Sequence, residues 1–299
     1  MLPKQEHKPD RKFSMDKDGF WGEYHKPAAD KFPGKAIVAF GGSAGKFLLT
    51  QLFADFCVRD GINVVIVAYH DAPGLSKVMK DQPVETVENA GRWLKSQGFE
   101  KIGLWGISMG GELALIAGTM FPDLFSCVVA VAPIQMVMQA EDNKKPIEGS
   151  SFAYKGTPLP YARYVPDNSS WKKQMLKDTI KHKEPYTRDL LIRAYEQNMN
   201  EEAEIKIENM KASLLLLGSK ADSMTPDEYT IKVLTERLKK NNYKYPVKYL
   251  LFDHISHLIT PMKPISAKTF VSERKHPEEC GKERKLAWAE TLSFFANNW

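Results

Sequence analysis

The chain has 299 residues, 43 % of them hydrophobic and 11 % aromatic, enough for a sizeable core without disulfide or metal staples. Its 42 Lys and Arg against 37 Asp and Glu leave a formal charge of +5, scattered along the chain, which argues against a nucleic-acid partner. Cys57, Cys127 and Cys280 are far apart with no metal-ligand spacing, no signal-type apolar core opens the chain, and no apolar run nears the roughly 18 residues of a membrane span, so a cytosolic protein without membrane span or metal is expected.

In chain order, residues 1–33 are polar and turn-rich; roughly the first dozen predict a loose tail, and Phe20 to His25 an edge strand or hairpin. Ala36 to Phe40 (AIVAF) reads as a strand running into Gly41-Gly42-Ser43-Ala44-Gly45. A helix follows from Phe47 to about Arg59, closed by Gly61 as a left-handed cap. The β-branched run Asn63 to Tyr69 predicts a strand covered on both faces, as in a parallel sheet. Val84 to Gln97 is a helix with Val87, Ala90, Trp93 and Leu94 on one face.

The stretch Lys101 to Met120 (KIGLWGISMGGELALIAGTM) then reads as strand, tight turn and helix around a G-x-S-x-G pattern. In that context the turn strains the backbone at Ser108, and Gly106 and Gly110 let strand and helix approach. Ser108 is the candidate nucleophile; a helix N-cap serine is the plainer alternative. Cys127 to Ala132 is another buried strand. Gln135 to Met210 is the least regular part, an insertion with helices around Trp171 to Lys181 and Thr187 to Asn198. It is expected either to cover a substrate pocket as a lid, with Met136, Phe152 and Trp171 facing the substrate, or simply to flap over the sheet. Ser213 to Leu217 and Tyr245 to Phe252 are the last strands. Pro226 to Lys240 is a helix, and Gly281 to Asn297 a closing one with Leu286, Trp288, Leu292 and Phe295 inward. Alternating strands and helices predict an α/β fold, a mostly parallel sheet with helices on both faces. Residues 34–299 would form one domain, with the lid at about 135–210 and residues 1–33 as tail and hairpin.

In such sheets ligands bind beyond the carboxyl ends of the strands, and three segments there carry chemistry. Gly42 or Ser43 is a candidate for one oxyanion donor and the amide of Met109 for the other; an ordinary Gly-rich turn is the plain alternative. GGSAGKF meets neither the P-loop spacing nor G-x-G-x-x-G, so no nucleotide cofactor is expected. Asp222, beyond the strand SLLLL, is the candidate acid. His257 is the first choice of base, with His254 as runner-up. The order Ser, Asp, His is that of α/β-hydrolases.

From residue 34 onward the chain resembles the acyl-CoA thioester hydrolase and bile acid-CoA:amino acid N-acyltransferase family. The resemblance rests on the AY strand end at Tyr69, the helix leading to WL at Trp93-Leu94, GISMGGELAL at the elbow, and AFGGSAG. SHLITPMKP is similar to the family's G-H-L-I-E-P-P and supports His257; GSKAD stands at a G-x-D-D type turn and supports Asp222. The resemblance implies a Ser-His-Asp hydrolase of acyl thioesters, with an acyl-CoA as small-molecule substrate. Animal members carry an N-terminal β-sandwich of roughly a hundred residues, and only residues 1–33 precede the first core strand here. Ser108 stands where the amino-acid-transferring branch has cysteine, which tilts the expectation towards hydrolysis. A carboxylesterase or dienelactone-type hydrolase, an acyl transferase to an amine, and a non-catalytic binding module are the alternatives. Chain length of the acyl group and oligomeric state are not legible.

Overall fold

Runs of β-branched and aliphatic residues pair into an eight-stranded main sheet in the computed structural model, which describes residues 5–43, 47–143, 145–164, 168–197 and 200–299. Its strands are β1 (Arg11–Phe13), β2 (Trp21–His25), β3 (Lys35–Phe40), β4 (Asn63–Ala68), β5 (Lys101–Ile107), β6 (Cys127–Val131), β7 (Ser213–Ser219) and β8 (Val247–Phe252). They lie in the order β1-β2-β4-β3-β5-β6-β7-β8. β1 and β2 run antiparallel at one end, and every pair from β4 to β8 is parallel.

The period-2 alternation of a strand sends neighbouring residues to opposite faces, and both faces here are apolar. On β3, Ala36, Val38 and Phe40 join one core while Ile37 and Ala39 join the other. The first core is covered by α2 (Glu85–Ser96), α3 (Met109–Met120) and α6 (Asp227–Lys240). The second is covered by α1 (Phe47–Arg59) and α7 (Pro277–Asn297). Gly61 closes α1 at φ +84°, and the Ile62 amide reaches back to the Cys57 carbonyl at 2.8 Å, the left-handed cap expected of it. Among the described residues no helix is long and apolar enough to cross a membrane.

Three expectations need correction. The N-terminal stretch is not a loose tail where it is described: Arg11–Phe13 forms the sheet's edge strand, and the amides of Glu6 and His7 both donate to the Asp55 carboxylate at 2.9 Å. Met1 to Lys4 lie outside the described residues. The insertion begins as β structure before it becomes helical. Gln139–Asp142 pairs with Lys145–Ser150, and Phe152–Tyr154 pairs with both Thr157–Pro158 and Gln82–Pro83. Lys155 and Gly156, at φ 49° and 77°, make the two-residue turn whose twist suits a hairpin. Helices α4 (Asn168–His182) and α5 (Arg188–Gln197) follow as expected, although Asn198 lies outside the described residues. Lastly, Leu286 is 48 % exposed, because the inward stripe of α7 runs through Cys280, Arg284, Ala287, Trp288, Thr291 and Phe295.

Arg284 is buried on that stripe for a reason that concerns the loop after β8. Its guanidinium bonds the buried Glu273 carboxylate at 2.7 Å and the carbonyls of Met262 and Leu258 at 3.1 and 3.4 Å. Glu273 also accepts from the Ser256 hydroxyl at 3.0 Å. Glu283, on the same helix, accepts from the amides of Asp253, His254 and Ile255. Helix α7 therefore holds both ends of the segment 253–262. Replacing Arg284 with Met leaves the buried Glu273 with only the Ser256 hydroxyl and the half-exposed Lys263 ammonium at 3.6 Å, and should cost about 3 kcal/mol in urea unfolding. Unchanged stability would show that this ion pair does not hold the loop.

Candidate active site

The backbone turns most sharply between β5 and α3. Ser108 sits there at φ 59° and ψ −125°, a conformation that costs a residue with a Cβ and persists only where its surroundings dictate it. They do so by close approach. A Cβ at Gly106 would overlap the Gly110 carbonyl, and one at Gly110 would overlap the Gly41 carbonyl, so the G-x-S-x-G glycines are required by backbone contact. The Ser108 amide donates to the Val131 carbonyl at 2.8 Å, tying the turn to the neighbouring strand. Ser108 stands at the N-cap position of α3, but its side chain makes no capping bond to the helix.

Asp222 and His257 are brought together from the ends of β7 and β8. His257 Nδ1 lies 2.6 Å from Asp222 Oδ2, with the carboxylate fully buried and the ring 6 % exposed. The amides of Met224 and Thr225 donate to Asp222 Oδ1 at 2.7 and 3.0 Å, and Thr225 Oγ1 stands 2.7 Å from Oδ2. Burial opposes the charge on Asp222, but the His257 charge and hydrogen bond, with the bonds from Thr225, outweigh it and hold the carboxyl below its ordinary value. An imidazole so held presents Nε2 as its free nitrogen. His254 faces away from this pair, with its Nδ1 3.0 Å from Glu283 Oε1 and its ring packed on His276.

Ser108 and His257 open into the same cavity of about 350 Å³, lined also by Ser43, Met109 and Thr225. Among the described residues no hydrogen bond joins the Ser108 hydroxyl to the ring; catalytic contacts of this kind are often long before substrate arrives. Met109 is the first residue of α3, where helix amides have no intrahelical partner. Gly42 lies against Ser108, since a Cβ there would be 3.2 Å from the serine Cβ. Ala44 and Gly45 of that loop lie outside the described residues.

The far wall of the cavity comes from the insertion. Trp171, Met175 and Leu176 of α4 and Leu191 of α5 line it, together with Ile134 and Met224. Of the expected substrate-facing residues, Trp171 lines the cavity, its ring tilted at 45° to that of Tyr164 with 4.6 Å between centroids. Met136 and Phe152 are not. Met136 is buried in the small core beneath Trp171, and Phe152 lies in the main core 5.9 Å from Tyr69, because its strand pairs with Gln82–Pro83.

Three polar residues of the site escape sequence reasoning. Glu112, one turn into α3, is fully buried and accepts from the Met138 amide at 3.2 Å, joining the elbow helix to the start of the insertion. Its burial raises the carboxyl well above its ordinary value. Thr225 and Asp227 stand behind Asp222, and their only sequence signal is the helix-start pattern T-P-D.

The sequence model of the family described as BAAT / Acyl-CoA thioester hydrolase C terminal matches residues 82–298. Acyl-coenzyme A thioesterase 1 of Rattus norvegicus is 24 % identical over 238 residues, covering 79 % of this chain and 50 % of the relative. Acyl-coenzyme A thioesterase 2, mitochondrial, of the same organism is 23 % identical over 238 residues, covering 79 % and 47 %. The chain thus spans about half the length of the curated relatives it matches. The solved Pyrococcus furiosus esterase Pf2001 superposes with a TM-score of 0.53 at 13 % identity, covering 100 % of this chain and 99 % of that one, a likeness of fold alone. With the family match extending from the edge of α2 to the end of α7, the chain belongs to the BAAT / acyl-CoA thioester hydrolase C-terminal family and has the α/β-hydrolase fold.

Proposed function

We propose that the protein hydrolyses acyl thioesters, with an acyl-CoA as substrate, through an acyl-enzyme on Ser108. The observation that carries this reading is the strained serine of a β5–α3 elbow sharing a cavity with an imidazole bonded to a buried carboxylate. Family membership supports the thioester as substrate class. The apolar wall of Trp171, Met175 and Leu176 suits an acyl chain.

His257 Nε2 removes the proton from Ser108 as Oγ attacks the carbonyl carbon. Asp222, bonded to Nδ1, fixes the tautomer and stabilises the imidazolium. The amides of Met109 and of Gly42 or Ser43 receive the oxyanion. The thiol leaves with the proton from His257, water deprotonated by the same ring attacks the acyl-serine, and the acid is released. Nothing in these steps calls for a cofactor.

Ser108→Ala should lower kcat for palmitoyl-CoA at least ~10³-fold and abolish labelling by a fluorophosphonate probe. A labelled, well-folded variant would move the nucleophile elsewhere. Turnover confined to p-nitrophenyl esters, with none of palmitoyl-CoA or acetyl-CoA, would replace the thioester by an oxygen ester. Product formed with glycine or taurine at the expense of the free acid would make the enzyme a transferase.

The acid side of the pH profile offers a second check. Because Asp222 is held below its ordinary value, it is ionised across the range in which the ring must lose its proton to act as base. The logarithm of kcat/KM should therefore rise with pH along a slope of one, because Asp222 adds no second proton to the acid limb. A slope of two would mean that Asp222 titrates together with the ring.

A further inference from the structure

Asp222 has a second carboxyl behind it. Asp227, the first residue of α6, is 1 % exposed, and its Oδ2 accepts from the Ser219 amide at 2.8 Å. Its Oδ1 lies 2.7 Å from Thr225 Oγ1, which is itself 2.7 Å from Asp222 Oδ2. Two oxygen–oxygen contacts of that length need two protons, and the threonine hydroxyl has one. The other belongs to one of the two carboxyls. Both oxygens of Asp222 already face donors: the Met224 and Thr225 amides on Oδ1, and His257 Nδ1 on Oδ2. Asp227 Oδ1 faces the threonine hydroxyl, whose oxygen can accept, so that is where a proton fits.

We propose that Asp227 is a neutral carboxylic acid in the folded protein and acts through Thr225 as a positioning residue for the Asp222 carboxylate, given the Ser108–His257–Asp222 reading above. Asp227 Oδ1–H donates to Thr225 Oγ1, Thr225 Oγ1–H donates to Asp222 Oδ2, and the His257 ring donates to the same oxygen. The chain puts one negative charge behind the imidazole and fixes its direction. The opposing influence is the start of α6, which favours an anion. It is outweighed by burial first and by the charge of Asp222 second, which together push the Asp227 carboxyl well above its ordinary value. The titratable groups around it are Asp222, Tyr195 of α5 and, beyond the hydroxyl, His257.

A neutral Asp227 makes stability depend on pH with a definite sign. Below the ordinary carboxyl value of 3.8 both folded and unfolded chains hold the proton. Above it only the folded chain does, so this contribution is lost as pH rises towards the folded value. Asp227→Asn keeps the geometry, with Nδ2 donating to Thr225 and Oδ1 accepting from Ser219, but has no proton to lose. In urea unfolding between pH 5 and pH 7, the unfolding constant of the wild type relative to Asp227→Asn should grow about tenfold per pH unit. A constant ratio would overturn the proposal, and this readout does not depend on which reaction is catalysed.

In palmitoyl-CoA turnover, Asp227→Asn should keep kcat/KM within about twofold, while Asp227→Ala lowers kcat about tenfold at unchanged KM. A large loss in a stable Asp227→Asn protein would mean that the carboxylate charge is needed. Wild-type kcat in Asp227→Ala would make the residue structural only; if that variant fails to fold, the asparagine variant decides. Should Ser108→Ala remain active, the catalytic reading falls while the unfolding ratio still reports the proton on Asp227.

Discussion

A hydrogen bond between two buried groups, the Asp222 carboxylate and the His257 ring, is the constraint on which the rest of the site depends. A charged carboxylate without solvent is tolerable only where donors converge on it, and here two amides, a hydroxyl and the imidazole do so. Those donors come from a turn after β7 and a loop after β8. Neither is regular structure, and each is fixed from elsewhere: the first by α6, the second by α7. The Ser219 hydroxyl links the two by bonding the Ile255 carbonyl.

The serine is positioned by a different kind of force. Its place depends on steric exclusion, since β5, α3 and the β3 loop approach so closely that only glycine fits at positions 106 and 110. Packing geometry of that kind is inscribed in residue identity, which is why the elbow is legible in the sequence. The long parallel strands are equally legible, because Asn63–Ala68 and Ser213–Ser219 are buried on both faces and carry unbroken apolar runs, VVIVA and LLLL. The choice of His257 over His254 is less so. Their spacing does not separate them; what does is the partner each finds, Asp222 for one and Glu283 for the other.

What escapes sequence reading has long-range pairing in common. Phe152 is removed from the pocket by a strand pair with residues some seventy positions earlier, and neither partner announces it. Arg284 reads as a surface charge until Glu273 and the carbonyls of Leu258 and Met262 are set around it. A buried ion pair on an amphipathic helix also rotates the inward stripe away from its apolar pattern, which is why Leu286 faces solvent. Thr225 and Asp227 read as an ordinary helix start, because the carboxyl they face lies in a turn whose path is set by tertiary contacts.

These two kinds of constraint divide the molecule's work. The strand ends that would carry the chemistry are held by backbone contact and by buried polar bonds with few alternatives. The wall of the cavity is built from α4 and α5 of the insertion, through apolar side chains such as Trp171, Met175 and Leu191 that pack without directional bonds. Apolar walls of this kind exchange volume for volume at modest cost, whereas removing one donor from a buried carboxylate exposes its full desolvation penalty. Changes in substrate preference should therefore arise in the insertion with little effect on the strand-end residues. Glu112 is the point where the two meet, since one carboxyl group on the elbow helix holds the Met138 amide at the root of the insertion. Burial raises that carboxyl well above its ordinary value, so the bond tying the insertion to the elbow helix is made by a group whose charge its surroundings disfavour.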